Sequence, residues 1–267
     1  MKISQDFVCG NIQVLKIEGD DITVEPEVRG DAPYFYWCFS VEGAEGRTLH
    51  FHFPSDTRVG FMGAAVSHDM ISWEWSNSRT DEPNGEGFTY TFGEDEHLVY
   101  FAHNMVYTPH RLDLVLEELG LQKEVFCTGY QGSDVPSFTV GEGEKTVLIT
   151  SRQHACESPG TYVLEGIVRA FLESPLPHIK LLVVPFVDYE GVIRGDAGKD
   201  RKPHDHNRDY NFSEPALYPE TGRIRALAEE GKILTAIDLH APHHSGMMND
   251  YPYIFECEDS PRQKAFE

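Results

Sequence analysis

The chain has 267 residues, 40% of them apolar, with 16 Phe, 12 Tyr and 3 Trp, which supplies substantial cores and excludes a disordered chain. Such a length suits about two units of ordinary domain size. The 44 acidic and 22 basic residues give a formal charge of −22, which repels phosphate backbones and anionic bilayers, so neither nucleic acid nor a membrane is expected as a partner.

The opening MKISQDFVCG has no apolar run of signal-peptide length, and no stretch approaches what a bilayer span needs. Cys9, Cys38, Cys127, Cys156 and Cys257 are scattered without a Cys-x-x-Cys pair. They read as reduced thiols of a cytoplasmic protein. Up to about residue 105 the chain alternates short aromatic and β-branched runs with Gly, Asp, Asn and Pro punctuation: YFYWCFSV (34–41), TLHFHF (48–53), MISWEW (70–75), FTYTF (88–92) and HLVYFA (97–102). This spacing predicts an all-β sandwich over 1–105. Alternation in TLHFHF puts His50 and His52 on one face, expected to be the solvent side.

From 106 to 267 the rhythm becomes that of an α/β domain with a mostly parallel mixed sheet. Helices are expected at 109–119, at 159–173 with Val163, Ile167, Ala170 and Phe171 inward, and at 220–230 with Ile224, Leu227 and Ala228 inward. Strands are expected at 145–151, at 180–187 and at 232–239.

Two of these strands run into metal-ligand residue types at their carboxyl ends, where α/β domains place their chemistry. One leads into Ser-Arg-Gln-His154-Ala-Cys-Glu157, the other ends in Asp238-Leu-His240. Two histidines and a glutamate match the protein ligands of a catalytic zinc, with a fourth position left for water. Alone, His154 and Glu157 also describe a loop histidine beside a helix-start acid, and Cys156 is either a nucleophile or a small buried thiol. Joint placement beyond two strand ends favours the metal site. A long polar connection, 188–211, adds Arg194, Lys199, Arg201, Lys202 and Arg208, a local basic cluster suited to a carboxylate.

These motifs resemble the zinc metallocarboxypeptidase family, and within it the cytosolic carboxypeptidase branch. His154-x-x-Glu157 is similar to the paired ligands, Asp188-Tyr-Glu-Gly-Val192 stands where the family has Asn-Pro-Asp-Gly, Asp205-His-Asn-Arg208 matches Asp-x-Asn-Arg, and Asp238-Leu-His240 matches the third ligand. The resemblance implies that His154, Glu157 and His240 hold Zn²⁺. It further implies that Asp205 takes the other ring nitrogen of His154, and that Asn207 and Arg208 grip the C-terminal carboxylate of a peptide or protein substrate. An oxyanion-stabilising arginine is also implied. The branch's arginine falls near Gly198, which makes Arg201 the first choice and Lys199 or Arg194 the reserve.

The implied reaction is amide hydrolysis by a metal-activated water with a glutamate as proton shuttle. In the family that glutamate lies several tens of residues beyond the third ligand, and Glu256, Glu258 and Glu267 do not match its setting. The α/β domain is therefore expected to be truncated, with an apolar sheet edge at 232–239. Two alternatives stand beside the peptidase: a zinc deacylase of the aspartoacylase type, and a metal- and carboxylate-binding protein without catalysis. His-Ala-Cys-Glu in place of the branch's His-Pro-Gly-Glu, and Tyr189-Glu190 in the turn, imply a changed substrate choice.

Overall fold

Alternating apolar and polar residues make the amino-terminal strands two-faced, and two such faces must cover one another. A computed structural model of the protein describes residues 1–30, 35–55, 58–82 and 85–241. Among the described residues, ten strands form the first part: β1 (Lys2–Ser4), β2 (Gln13–Glu18), β3 (Asp21–Glu25), β4 (Cys38–Glu42), β5 (Thr48–Phe53), β6 (Ala65–Ser67), β7 (Glu74–Trp75), β8 (Arg79–Glu82), β9 (Gly85–Thr91) and β10 (Leu98–Ala102). They build two five-stranded sheets, ordered β1-β4-β10-β6-β7 and β2-β3-β5-β9-β8. Ile22, Phe51 and Phe88 of one sheet meet Phe39, Val99 and Phe101 of the other in a core sealed by Trp37.

In β5, Leu49, Phe51 and Phe53 are buried while His50 and His52 face away from the core, contacting Thr89 and Asp21. The strand expected at 70–75 shrinks to Glu74–Trp75, because the Asp69 carboxylate accepts the amides of Ile71 (2.8 Å) and Ser72 (2.7 Å) and turns the chain there. Tyr34, the first residue of the predicted 34–41 strand, lies outside the described residues.

The second part begins with α1 (Pro109–Leu119), capped by Thr108 and ended by left-handed Gly120. There follow β11 (Glu124–Thr128), β12 (Asp134–Val140), β13 (Lys145–Ser151), α2 (Pro159–Glu173), β14 (Ile179–Val184), α3 (Tyr189–Arg194), a 3₁₀ turn (His206–Arg208), α4 (Pro219–Glu229) and β15 (Ile233–Leu239). The sheet order is β11-β12-β14-β13-β15, with β13 parallel to both neighbours and β11 and β12 joined antiparallel. No helix among the described residues is long and apolar enough to cross a membrane.

Four expectations are corrected. α2 turns Leu164, Val168 and Phe171 inward and leaves Val163 exposed, because its buried stripe runs from Thr161 beside β13. α4 buries Ile224 and Leu227 but exposes Ala228, with Arg225 inward instead, bonded to the carbonyls of Asp209 and Glu214. β14 stops at Val184, before Pro185, which has no amide to give. The Asp188-Tyr-Glu-Gly turn is a helix start, with the Asp188 carboxylate capping the Gly191 amide at 3.0 Å.

One core joins the two parts. Cys9, Tyr36, Cys38 and Ala102 pack with Val106, Tyr107, Leu112, Ile149, Leu164 and Phe186. The Cys9 amide bonds the Ile193 carbonyl, and Asn11 Nδ2 reaches the Gly195 carbonyl at 2.7 Å.

Candidate metal centre

β13 and β15 end side by side, with Thr150 opposite Asp238 and Ser151 opposite Leu239. The segments leaving the two strand ends are therefore delivered to one place. After β13 the chain turns through Arg152, in the left-handed region at φ 61°, and carries His154 and Glu157 to the start of α2. Gly160 lets that helix start press on β15; a Cβ there would stand 3.0 Å from the Leu239 carbonyl oxygen.

His154, Glu157 and His240 each turn a ligand atom inward, all within 4.8 Å of one another. Glu157 is fully buried. Its Oε1 stands 2.8 Å from His154 Nδ1 and 2.6 Å from Lys199 Nζ; its Oε2 stands 2.8 Å from His240 Nδ1 and accepts the Ala241 amide at 3.0 Å. The outer nitrogens are also engaged. His154 Nε2 is 3.6 Å from Asp205 Oδ2, and His240 Nε2 is 2.9 Å from Asp238 Oδ2. Thr150 donates to the other oxygen of Asp238 at 2.6 Å.

The electrostatics are set by this geometry. Burial pushes the Glu157 carboxyl up, but hydrogen bonds from His154 and His240 and the charge of Lys199 hold it well below the carboxylate range. Burial works against a charged His240, yet Asp238 and Glu157 carry it up to about 10. His154 is likewise raised, against burial, by Asp205 and Glu157. Asp205 is lowered to about 2, since the His154 contact and the Asp200 amide outweigh its burial. A buried carboxylate between two imidazoles, each facing a further carboxylate, is a donor set able to hold a metal ion.

The long connection does not present its cations as one patch. Arg201 spans Asp188 (2.7 Å) and Asp196 (2.9 Å), and Arg194 also pairs with Asp196. Lys199 alone of the three stands on the ligand set. The loop comes that close because left-handed Gly198 has no Cβ; one would stand 2.5 Å from the Ala155 amide nitrogen. In the 3₁₀ turn, Asn207 is half-buried and Arg208 exposed, while His206 points inward and stacks on Tyr218 at 3.7 Å. Asp209 then fastens the turn, accepting the amides of Leu217 and Tyr218, both at 2.9 Å, the Thr221 hydroxyl and a contact from His204.

The sequence reading did not single out Asp209 or Arg152, and for the oxyanion cation it put Arg201 first with Lys199 or Arg194 in reserve, since the branch's arginine falls near Gly198. Cys156 is fully buried with its thiol pushed up by burial to about 12, which fits a packing thiol and not a nucleophile. His243, His244, Glu256, Glu258 and Glu267 lie outside the described residues.

With the site's geometry established, the chain can be set beside known proteins. No family model matches it. It is 22% identical over 258 residues to an uncharacterized protein of Zymomonas mobilis, covering 90% of this chain and 67% of that protein. It is 25% identical over 208 residues to cytosolic carboxypeptidase 2 of Xenopus tropicalis and 26% over 207 residues to human cytosolic carboxypeptidase 6. Each of these two alignments covers 67% of this chain, but only 21% and 41%, respectively, of those longer proteins. The fold matches a metallo-carboxypeptidase from Burkholderia cenocepacia with a TM-score of 0.76 at 18% identity, over 90% of this chain and 70% of that one. It matches a metallo-carboxypeptidase from Pseudomonas aeruginosa, solved with (2-guanidinoethylmercapto)succinic acid, with a TM-score of 0.74 at 21% identity and the same coverage.

The fold is that of a metallocarboxypeptidase with an all-β amino-terminal part. In sequence the chain resembles the cytosolic branch of the zinc metallocarboxypeptidases, and the deacylase reading is not favoured.

Proposed function

We propose that the protein is a cytoplasmic zinc-dependent metallocarboxypeptidase that hydrolyses the C-terminal residue from peptides or protein tails, its β-sandwich (1–105) serving as a leader to the catalytic domain (106–267). The observation that carries this reading is the convergence of His154, Glu157 and His240, with Asp205 on the outer nitrogen of His154. Zinc held by these three residues would supply Lewis acidity to polarise a scissile carbonyl and acidify water. Asp205 fixes the tautomer of His154 so that Nδ1 faces the ligand set. Arg208, exposed on its turn, and Asn207 receive the substrate's terminal carboxylate.

Lys199 takes the oxyanion role in place of Arg201. Its ammonium is already at the ligand set, whereas the guanidinium of Arg201 is held between two buried carboxylates. Arg201 then acts through the loop, keeping the path that brings Lys199 inward. Substrate choice follows from this difference, since a lysine offers a point charge where the family has a planar fork.

The test is zinc stoichiometry together with hydrolysis of a peptide panel differing in the last residue. Wild-type protein should hold one zinc, and His154→Ala and Glu157→Ala should hold none. Full metal content in both variants would sink the assignment. Release of single C-terminal residues, with N-acyl amino acids left intact, would establish the reaction class.

A further inference from the structure

Arg152 is a fully buried guanidinium at 1% exposure, two residues before His154. Its side chain makes no ion pair among the described residues. Asp188, whose charge it feels, gives its carboxylate to Arg201. Nor does the Cys9 thiol offer a countercharge, since burial pushes it up to about 12 and keeps it neutral.

Instead the guanidinium is spent on the ligand turn. Nε donates to the Ala155 carbonyl at 2.7 Å and Nη2 grips the same oxygen; Nη1 reaches the Ser158 hydroxyl at 3.0 Å and the Tyr107 carbonyl at 3.4 Å. The face of Phe186 lies 5.8 Å away. Ser158 in turn accepts the Tyr107 amide, and Asn104 Nδ2 reaches the Cys156 carbonyl at 3.3 Å. The segment leaving the sandwich is thus stitched to both ends of the His154–Glu157 turn.

Two features of Arg152 run against stability. A buried charge without a countercharge is unfavourable, and a left-handed φ at a residue with a Cβ is strained. Such expense is retained where the surrounding structure uses it.

We propose that Arg152 is a positioning residue for the metal centre: by holding the Ala155 carbonyl and tying Ser158 to Tyr107, it presets the His154–Glu157 turn from the junction with the sandwich. The inference rests on the reading of His154, Glu157 and His240 as a metal site. Removing a residue that orients ligands typically lowers metal affinity 10- to 100-fold, whereas a residue that only supports the fold loses stability when removed and leaves the metal affinity of the folded protein unchanged.

The experiment uses the full chain and the variants Arg152→Met, Arg152→Lys and Ser158→Ala. Zinc affinity is measured by chelator competition, the metal-free thermal midpoint by calorimetry, and ligand geometry by the visible spectrum of the Co²⁺ form. Arg152→Met is expected to lose roughly 10- to 100-fold in zinc affinity with an altered cobalt spectrum, together with a lowered midpoint from the Ala155 and Tyr107 carbonyls that lose their guanidinium donor. Arg152→Lys, which keeps charge but cannot fork onto one carbonyl, should lose a similar amount, and Ser158→Ala less. Wild-type affinity and spectrum in the folded arginine variants, whatever their midpoint, overturns the proposal. Should Arg152→Met not fold, unchanged zinc affinity in both Arg152→Lys and Ser158→Ala does the same. Wild-type protein that takes up neither zinc nor cobalt refutes the metal reading itself, a result separable from the others.

Discussion

The sandwich fills its interior with Trp37, Phe39, Phe51, Phe88 and Phe101, rings whose neighbouring centroids stand 4.8 to 5.7 Å apart, whereas the α/β part buries Arg152, His154, Glu157, Asp188, Asp196, Lys199, Asp205 and Asp209. The first interior is stabilised simply by leaving water. The second takes charges out of water and holds only because nearly every one meets an opposite charge or an amide. A buried ion does occur in the sandwich, but Glu86 is used structurally there, accepting the amides of Arg58 and Val59 and pairing with Arg79 at 2.9 Å. Where a fold accumulates buried charge in excess of what its packing requires, the excess marks chemistry.

That contrast can be broken by experiment. Its strongest form is a crossed result: Glu157→Ala should remove zinc binding, a loss of roughly a thousandfold or more in affinity, since only two protein ligands remain. Trp37→Ala should destabilise the protein by about 3–5 kcal/mol in urea titration, while the folded fraction keeps wild-type zinc affinity. A Trp37→Ala protein that also loses zinc would show that the two interiors are not separable.

Next in size, Asp209→Ala should cost about 2 kcal/mol by leaving two amides and a hydroxyl without their acceptor, and should weaken substrate binding through Asn207 and Arg208 more than zinc binding. The same carboxylate predicts a pH dependence. Burial raises Asp209, but the amides of Leu217 and Tyr218, the Thr221 hydroxyl and His204 outweigh it, so its folded-state pKa lies below the ordinary 3.8. A depressed carboxyl stabilises fully above the unfolded value and loses that contribution as pH falls through the folded one. Wild-type stability should therefore fall more steeply below about pH 4 than that of Asp209→Ala, which lacks the group. Acid unfolding curves of equal slope would remove Asp209 as the fastening. Smallest of all, His52→Ala should change stability by less than about 0.5 kcal/mol and leave zinc content untouched, since His52 faces outward from β5.

How much could be read beforehand divides along physical lines. α1, α2, β5 and β13 carry their own signals: a proline at the first turn, a left-handed glycine after α1, and strict alternation in β5. β2 carries none, because all six of its residues are exposed at a sheet edge and alternation has nothing to record. β11 is half exposed and bulged between Val125 and Cys127, which erases its period as well. The three candidate ligands could be singled out because metal sites draw on few residue types and two neighbouring strand ends bring these together. The choice between Arg201 and Lys199 could not be read this way, because which cation of the connection reaches the candidate ligands is settled by Asp188 and Asp196 capturing Arg201, residues one reads as ordinary surface acids. Arg152 gave no signal at all. Its role depends on burial.

The third ligand candidate follows an edge strand of its sheet in which no residue is fully buried. β15 pairs only with β13 among the described residues, leaves Leu234 52% exposed, and carries His240 one residue past its end. A metal joining His240 to the deeply buried Glu157 would act as a clasp on that strand. Metal uptake and the order of β15 are then one equilibrium, and amide exchange along 233–239 becomes a gauge of occupancy, slowing in proportion to bound zinc while the sandwich amides stay as they were.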